Sequence, residues 1–525
     1  MLETRSGPPY NVAVVRGHKG KSMRSVKLYV VLGSILVLVA LILLLWWTPG
    51  TGRRQDSPQS LVLYCAAGMY PPVAEVVKEY QEQFGVTVRV QYGGSGTLLS
   101  NLRAAEAGDL YLAADASYIE VARRQGLIAE TIPLAIQRPV IASAKGNPKK
   151  IQSAGDLLRD DVRVALGNPD AASIGKQTQV AMTRAGLWDR LQQAVQSRGV
   201  FKPTVNDVAN DIKIGTVDAG VIWDSTAKQY PELEIAAPLT EDPNFVLEVR
   251  IAVLRGSRQP TEALRFARYL SARDKGLKAF ERRQYTAVEG DLWAKEPHVL
   301  LFSGGVNRPA IEDTLRTFEQ REGCKVTRVY NGCGILIAQM KAGERPDAYF
   351  ACDVSFMHQV QDLFLDSVNV SETDILIAVP KGNPKGIASL ADLTKDGLKL
   401  GVANAEQSAL GALTERMLES AGLLKSVMAN VRSQTPTADM LVNQLRAGGL
   451  DAVIVYEANI SQVRDHLDIV RIDLPSAKAV QPYAIARGST CKHLTRRLLD
   501  AITSAQSQQK YKAAGFRWLY ASEKP

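Results

Sequence analysis

Tyr92-Gly-Gly-Ser-Gly96 ends one apolar stretch and opens another, and 238 residues later Tyr330-Asn-Gly-Cys-Gly334 does the same. Three further pairs keep that order. Gly108-Asp-Leu-Tyr-Leu-Ala-Ala-Asp115 returns as Pro346-Asp-Ala-Tyr-Phe-Ala-Cys-Asp353, and Lys145-Gly-Asn-Pro-Lys149 returns unchanged at 381–385. Gly215-Thr-Val-Asp-Ala-Gly-Val-Ile-Trp223 returns as Gly448-Gly-Leu-Asp-Ala-Val-Ile-Val-Tyr456. The offsets are 238, 238, 236 and 233 residues, so only small deletions separate the copies. Solenoid repeats run at about 20 to 50 residues, so this period marks a duplicated whole domain.

Within each copy, strands and helices alternate. Residues 61–66 form a short apolar run, and Val73, Val76, Val77 and Tyr80 follow at helical spacing. Residues 86–90 alternate apolar and polar, the glycine loop opens a helix carrying Leu98, Leu99 and Leu102, and 110–114 is a further buried strand. The same rhythm restarts at Val299. It predicts an α/β fold of parallel sheets covered by helices on both faces. The seam falls near 289–297, which gives one module at 60–292 and a second at 298–521.

Outside the copies the chain reads differently. Residues 1–27 carry Arg5, Arg16, Lys19, Lys21, Arg24 and Lys27 against only Glu3. An uncharged run follows at 28–47, ending in Trp46 and Trp47. Twenty helical residues at about 1.5 Å each cover a hydrocarbon core of about 30 Å, and tryptophan favours its interface. We read 1–27 as a basic cytoplasmic tail, 28–48 as a single transmembrane anchor and 49–59 as a linker, with both modules on the extracytoplasmic side of the cell membrane. A cleaved signal peptide is the alternative; against it stand the length of the run and the lack of a small-x-small cleavage site at Trp46-Trp47-Thr48-Pro49.

Much of the formal net charge of +9 belongs to that tail, so the modules carry no basic face for nucleic acid. The five cysteines, at 65, 324, 333, 352 and 491, fit neither a zinc site nor a dense disulfide framework, and sequence does not pair them. No metal or cofactor is expected.

Three glycine-bearing strand–helix junctions recur in each copy, at the place where open α/β sheets bind ligands. They are Gly68-Met69 against Ser303 and Gly305, Ser95-Gly96 against Cys333-Gly334, and Ser173-Ile174-Gly175 against Leu410-Gly411. Glycine lets backbone approach a ligand, and the following helix offers free N–H groups to an anion.

These landmarks, with Ala66-Ala-Gly-Met69, Gly167-Asn-Pro169, Ala185-Gly-Leu-Trp188 and Gly515-Phe516, give each copy a resemblance to the periplasmic molybdate-binding proteins, within the type II periplasmic binding proteins. The resemblance implies two tandem modules, each of two lobes joined by a hinge that close on a small oxyanion of the molybdate, tungstate or sulfate class. It implies hydroxyl and backbone donors from the three loops plus a tyrosine. Ser95 then matches the second-loop serine, Gly68 stands where a first-loop serine belongs, and Trp223 takes the tyrosine position. In the second copy Tyr456 keeps the tyrosine, Cys333 replaces the serine, and Ser303 offers a first-loop hydroxyl. ABC permease and ATPase subunits are the implied partners. A tethered sensor or scaffold is the alternative, and an enzyme using Cys333 a third reading; no histidine falls on a cleft loop to serve it as a base.

Overall fold

The computed structural model describes residues 60–105, 107–461 and 463–521. The tail 1–27, the anchor 28–48 and the linker 49–59 lie outside the described residues. Among those described, no helix is long and apolar enough to cross a membrane.

Local chemistry sets the opening of each half. Strand Ser60–Ala66 runs into a 3₁₀ turn, Ala67–Met69, and then helix Tyr70–Phe84. Pro71 sits in the first helical turn, where a missing N–H breaks no bond, and Gly85 ends the helix at φ 68°. Val73, Val76, Val77 and Tyr80 form its buried stripe. The second half repeats the sequence of elements as His298–Gly304, Gly305–Asn307 and Arg308–Glu322, closed by Gly323 at φ 61°.

The first half holds two sheets, and in the second half the corresponding two are joined into one ten-stranded sheet. In the first half, the strands of one lobe lie in the spatial order Thr286–Ala287, Ile128–Gln137, Leu247–Leu254, Leu110–Ala113, Ser60–Ala66 and Thr87–Gly93. The other lobe has Val200–Lys202, Val164–Gly167, Ala219–Trp223, Pro139–Ala144 and Leu233–Pro238. The chain crosses between lobes at Arg138 and returns between Pro238 and Leu247. In the second half the outward crossing is one 13-residue strand, Val368–Pro380. Its first part pairs with Lys478–Ile485, and its last part with Ala452–Tyr456 and Leu467–Arg471. The strand orders of the two halves otherwise coincide.

The expectation of parallel sheets needs correction, because every sheet is mixed. The strands nearest the clefts run parallel, as Ser60–Ala66 does with Thr87–Gly93 and Leu110–Ala113. The return strand Leu247–Leu254 is antiparallel to both its neighbours. A chain that leaves a lobe and re-enters it must run back through that lobe's sheet, which no local periodicity announces.

The halves meet through a buried charge cluster. The Glu322 carboxylate, 1% exposed, accepts from Arg268 Nη1 at 2.9 Å and from Arg497 Nη2 at 3.1 Å. Asp291 accepts the backbone N–H groups of His493 and Leu494, both at 2.9 Å, and so caps helix Lys492–Ile502 from across the seam.

Candidate functional site

The lobes of the first half enclose a cavity of about 20 Å³. Gly68, Ser95, Ser173, Ile174 and Trp223 all line it, together with Thr204 and Val205, and no charged side chain does. Helices beginning at Tyr70, Ser95, Ser173 and Val205 start beside the cavity, so several unpaired N–H groups and positive dipole ends converge there.

Two hydroxyls are poised in this wall. Ser95 Oγ accepts the Ala114 N–H at 3.1 Å and has no acceptor for its own proton among the described residues. Ser173 Oγ is buried with no partner among them at all. An unpaired buried hydroxyl costs about 1–3 kcal/mol, which a ligand oxygen would recover. The Thr204 hydroxyl is engaged, since it donates to Asp207 Oδ2 at 2.6 Å and caps the helix by accepting the Asp207 N–H at 3.2 Å. Trp223 is 1% exposed, and its ring edge lies near Gly68, where an added Cβ would come 3.9 Å from its Cδ1.

Met69, Gly96 and Gly175 do not line the cavity. Met69 is wholly buried. Gly96 donates its N–H to Ala171 O of the opposite lobe at 2.8 Å, and a Cβ there would sit 2.2 Å from Asp170 O. A Cβ on Gly175 would sit 2.2 Å from Gly167 O. These residues permit close packing behind the cavity wall.

The second half encloses an equally small cavity, about 20 Å³, lined by Gly305, Leu410 and Tyr456 among the expected residues. The Tyr456 hydroxyl is buried without a partner among the described residues. Burial pushes that phenol well above its ordinary value, so it stays protonated and able to donate. Gly334 and Gly411 again pack against backbone, with added Cβ atoms 1.9 Å from Glu406 O and 2.3 Å from Asn404 O.

Two expectations shift here. Ser303 pairs in register with Tyr330 as Cys65 does with Tyr92, so it corresponds to Cys65 and not to a first-loop position. It is wholly buried, donating to Gly304 O at 3.2 Å, and the counterpart of Gly68 is Val306. Neither first loop therefore supplies a hydroxyl. Cys333 lies directly behind the wall: its Sγ accepts the Cys352 N–H at 3.1 Å, the part that Ser95 Oγ plays for Ala114.

The sequence reading missed Cys352, Asp439 and Asn459, all of which line the second cavity. Asp439 is held by Asn459 Nδ2 at 2.8 Å and brings a carboxylate to a cleft whose twin has none. A signal was present in the repeat Pro203-Thr204 and Pro436-Thr437, at the same offset as the Trp223 and Tyr456 motif.

The profile for bacterial extracellular solute-binding proteins matches the chain twice, over residues 61–284 and 299–517. The molybdate-binding protein ModA of Mycobacterium tuberculosis is 27% identical over 41% of this chain and 80% of its own length. ModA of Escherichia coli is 22% identical, over 40% of this chain and 83% of its own. The periplasmic molybdate-binding protein of Azotobacter vinelandii, a solved structure, is 20% identical and aligns with 43% of this chain and 98% of its own, at a TM-score of 0.37. With both profile matches falling on the two halves that carry the same strand order, the chain belongs to the bacterial extracellular solute-binding proteins and contains their module twice.

Proposed function

We propose that this protein captures a small tetrahedral oxyanion, of the molybdate, tungstate or sulfate class, in its first cleft and delivers it to an ABC importer. The observation that carries this is the neutral wall of that cleft, in which Ser95 and Ser173 hold unclaimed hydroxyl protons among converging helix N-termini. Such a wall stabilises an anion by dipoles and hydrogen bonds without a counter-charge. The ModA relatives support the ligand class. The modules at 60–292 and 298–521 are proposed as separate binding units, each closing about its own hinge. The apolar run at 28–47, with basic residues before it, supports tethering of both modules outside the membrane.

The second cleft is proposed to bind the same anion more weakly, because Asp439 repels it and Cys352 donates poorly. Calorimetric titration of the full-length protein with molybdate, tungstate, sulfate and phosphate tests this reading. One tight site for at least one of these anions is expected; two equal sites, or none, would refute it.

A further inference from the structure

Comparing the modules with each other isolates three coordinated differences around one point. Where the first module has Ala66, Ser95 and Ala114, the second has Gly304, Cys333 and Cys352. The strand pairings fix these equivalences: Ala66 faces Gly93 as Gly304 faces Asn331, and the Ala114 and Cys352 amides donate to Ser95 and Cys333 respectively. A Cβ on Gly304 would lie 2.1 Å from Cys352 Sγ and 3.2 Å from Cys333 Sγ. The missing side chain is thus the space that admits the second sulfur, and the two sulfurs can be no farther apart than those distances together. Both thiols are free and buried.

The surroundings are polar and unfinished. Tyr456 has a buried hydroxyl with no partner among the described residues, and it shares the cavity wall with Cys352. Burial pushes the Cys333 thiol up, but hydrogen bonds from Cys352 and Tyr349 outweigh it and leave the thiol below its ordinary value. Cys65, Cys324 and Cys491 have no such arrangement: burial pushes all three thiols up.

We propose that Cys333 and Cys352 form a redox-active dithiol that closes to an intramolecular disulfide by exchange with an external disulfide. Cys352 lines the cleft, so it is the sulfur an incoming disulfide meets when the lobes part. The Cys352 thiol, which Cys333 and burial hold well above its ordinary value, attacks one sulfur of that reagent as its proton passes through Cys333 to the leaving thiolate, forming a mixed disulfide. Cys333 then attacks Cys352 Sγ, closes the protein disulfide and releases the second thiolate, which takes the Cys333 proton. Two protein thiols and one external disulfide thus become one protein disulfide and two external thiols. The new bond ties the first turn of helix Cys333–Lys341 to the loop just past strand Ala348–Phe350, beside the second cleft only. The pair stands whether or not either cleft binds an oxyanion.

The full-length protein, equilibrated with oxidised glutathione, denatured and alkylated, reads this out by intact mass and peptide mapping. Loss of two of the five alkylable thiols is expected, with a crosslinked peptide joining Cys333 to Cys352. Cys352→Ala and Cys333→Ser install the first module's own residues, so each is expected to fold and to show no intramolecular crosslink. Five alkylated thiols in the wild type, or a crosslink that involves Cys65, Cys324 or Cys491, would overturn the assignment.

Discussion

At the scale of single residues, the first cleft offers the sharpest test. Ser95 and Ser173 each present an O–H that no described group accepts. A hydrogen bond to a charged group contributes roughly 1.5–3 kcal/mol, so Ser95→Ala is expected to weaken anion binding about ten- to a hundredfold in a calorimetric titration. Stability without ligand should also fall, by at most about 1–3 kcal/mol, because the Ala114 N–H loses its partner. Ser173→Ala should weaken binding comparably and leave the ligand-free protein as stable or slightly more so, since its hydroxyl is unpaired there. Ser95, Ser173, Gly68 and Trp223 were legible because each belongs to a motif on a strand–helix junction. Asp439 and Asn459 were not, because they lie inside helices Ala438–Arg446 and Glu457–Ile460, past the junction motifs, with only the Pro436-Thr437 repeat to point there. Ser303 was misplaced by one residue: a run of small residues aligns equally well either way, and only the pairing with Tyr330 fixes the register.

At the scale of elements, glycine at the second loop lets the two lobes of the first half approach closely. A Cβ on Gly94 would fall 2.4 Å from Ala171 O and 2.5 Å from Pro203 O, both on the opposite lobe. Overpacking of this kind costs about 1–3 kcal/mol, and under the proposed closure about a hinge it falls on the closed state. Gly94→Ala should therefore lower anion affinity by about tenfold or more while leaving the ligand-free melting temperature unchanged. An unaltered affinity would show that the lobes need not close this far. Element order and type could be read from hydrophobic period and glycine punctuation, as helix Tyr70–Phe84 and its Gly85 cap illustrate. The hinge could not. Ile128–Gln137 and Pro139–Ala144 are separate strands around Arg138, whereas Val368–Pro380 is continuous, and nothing in the local alternation distinguishes them.

At the scale of the whole molecule, Glu322 joins the two modules by holding Arg268 and Arg497 out of water. Removing one partner of a buried ion pair typically costs about 3–5 kcal/mol, so Glu322→Gln should lower the midpoint of thermal or denaturant unfolding markedly. Burial raises the Glu322 carboxyl, but Arg497 and Arg268 outweigh it and hold it below the usual carboxylate range. A depressed folded-state value means that the stabilisation is complete above the ordinary carboxyl range and is lost as pH falls through the depressed value. The wild type should thus lose more stability on acidification than Glu322→Gln does. Duplication itself was the most legible feature of the chain, because whole motifs recur in order, but the seam that packs the copies together uses residues outside every repeated motif.

Binding of a tetrahedral oxyanion in the neutral first cleft can be seen directly. Anomalous diffraction at the tungsten edge, from crystals of the full-length protein grown with tungstate, locates the anion. A peak is expected within hydrogen-bonding distance of Ser95 Oγ and Ser173 Oγ, stronger than any in the cleft beside Asp439. A peak confined to the second cleft, or to the seam around Glu322, would overturn the proposed site.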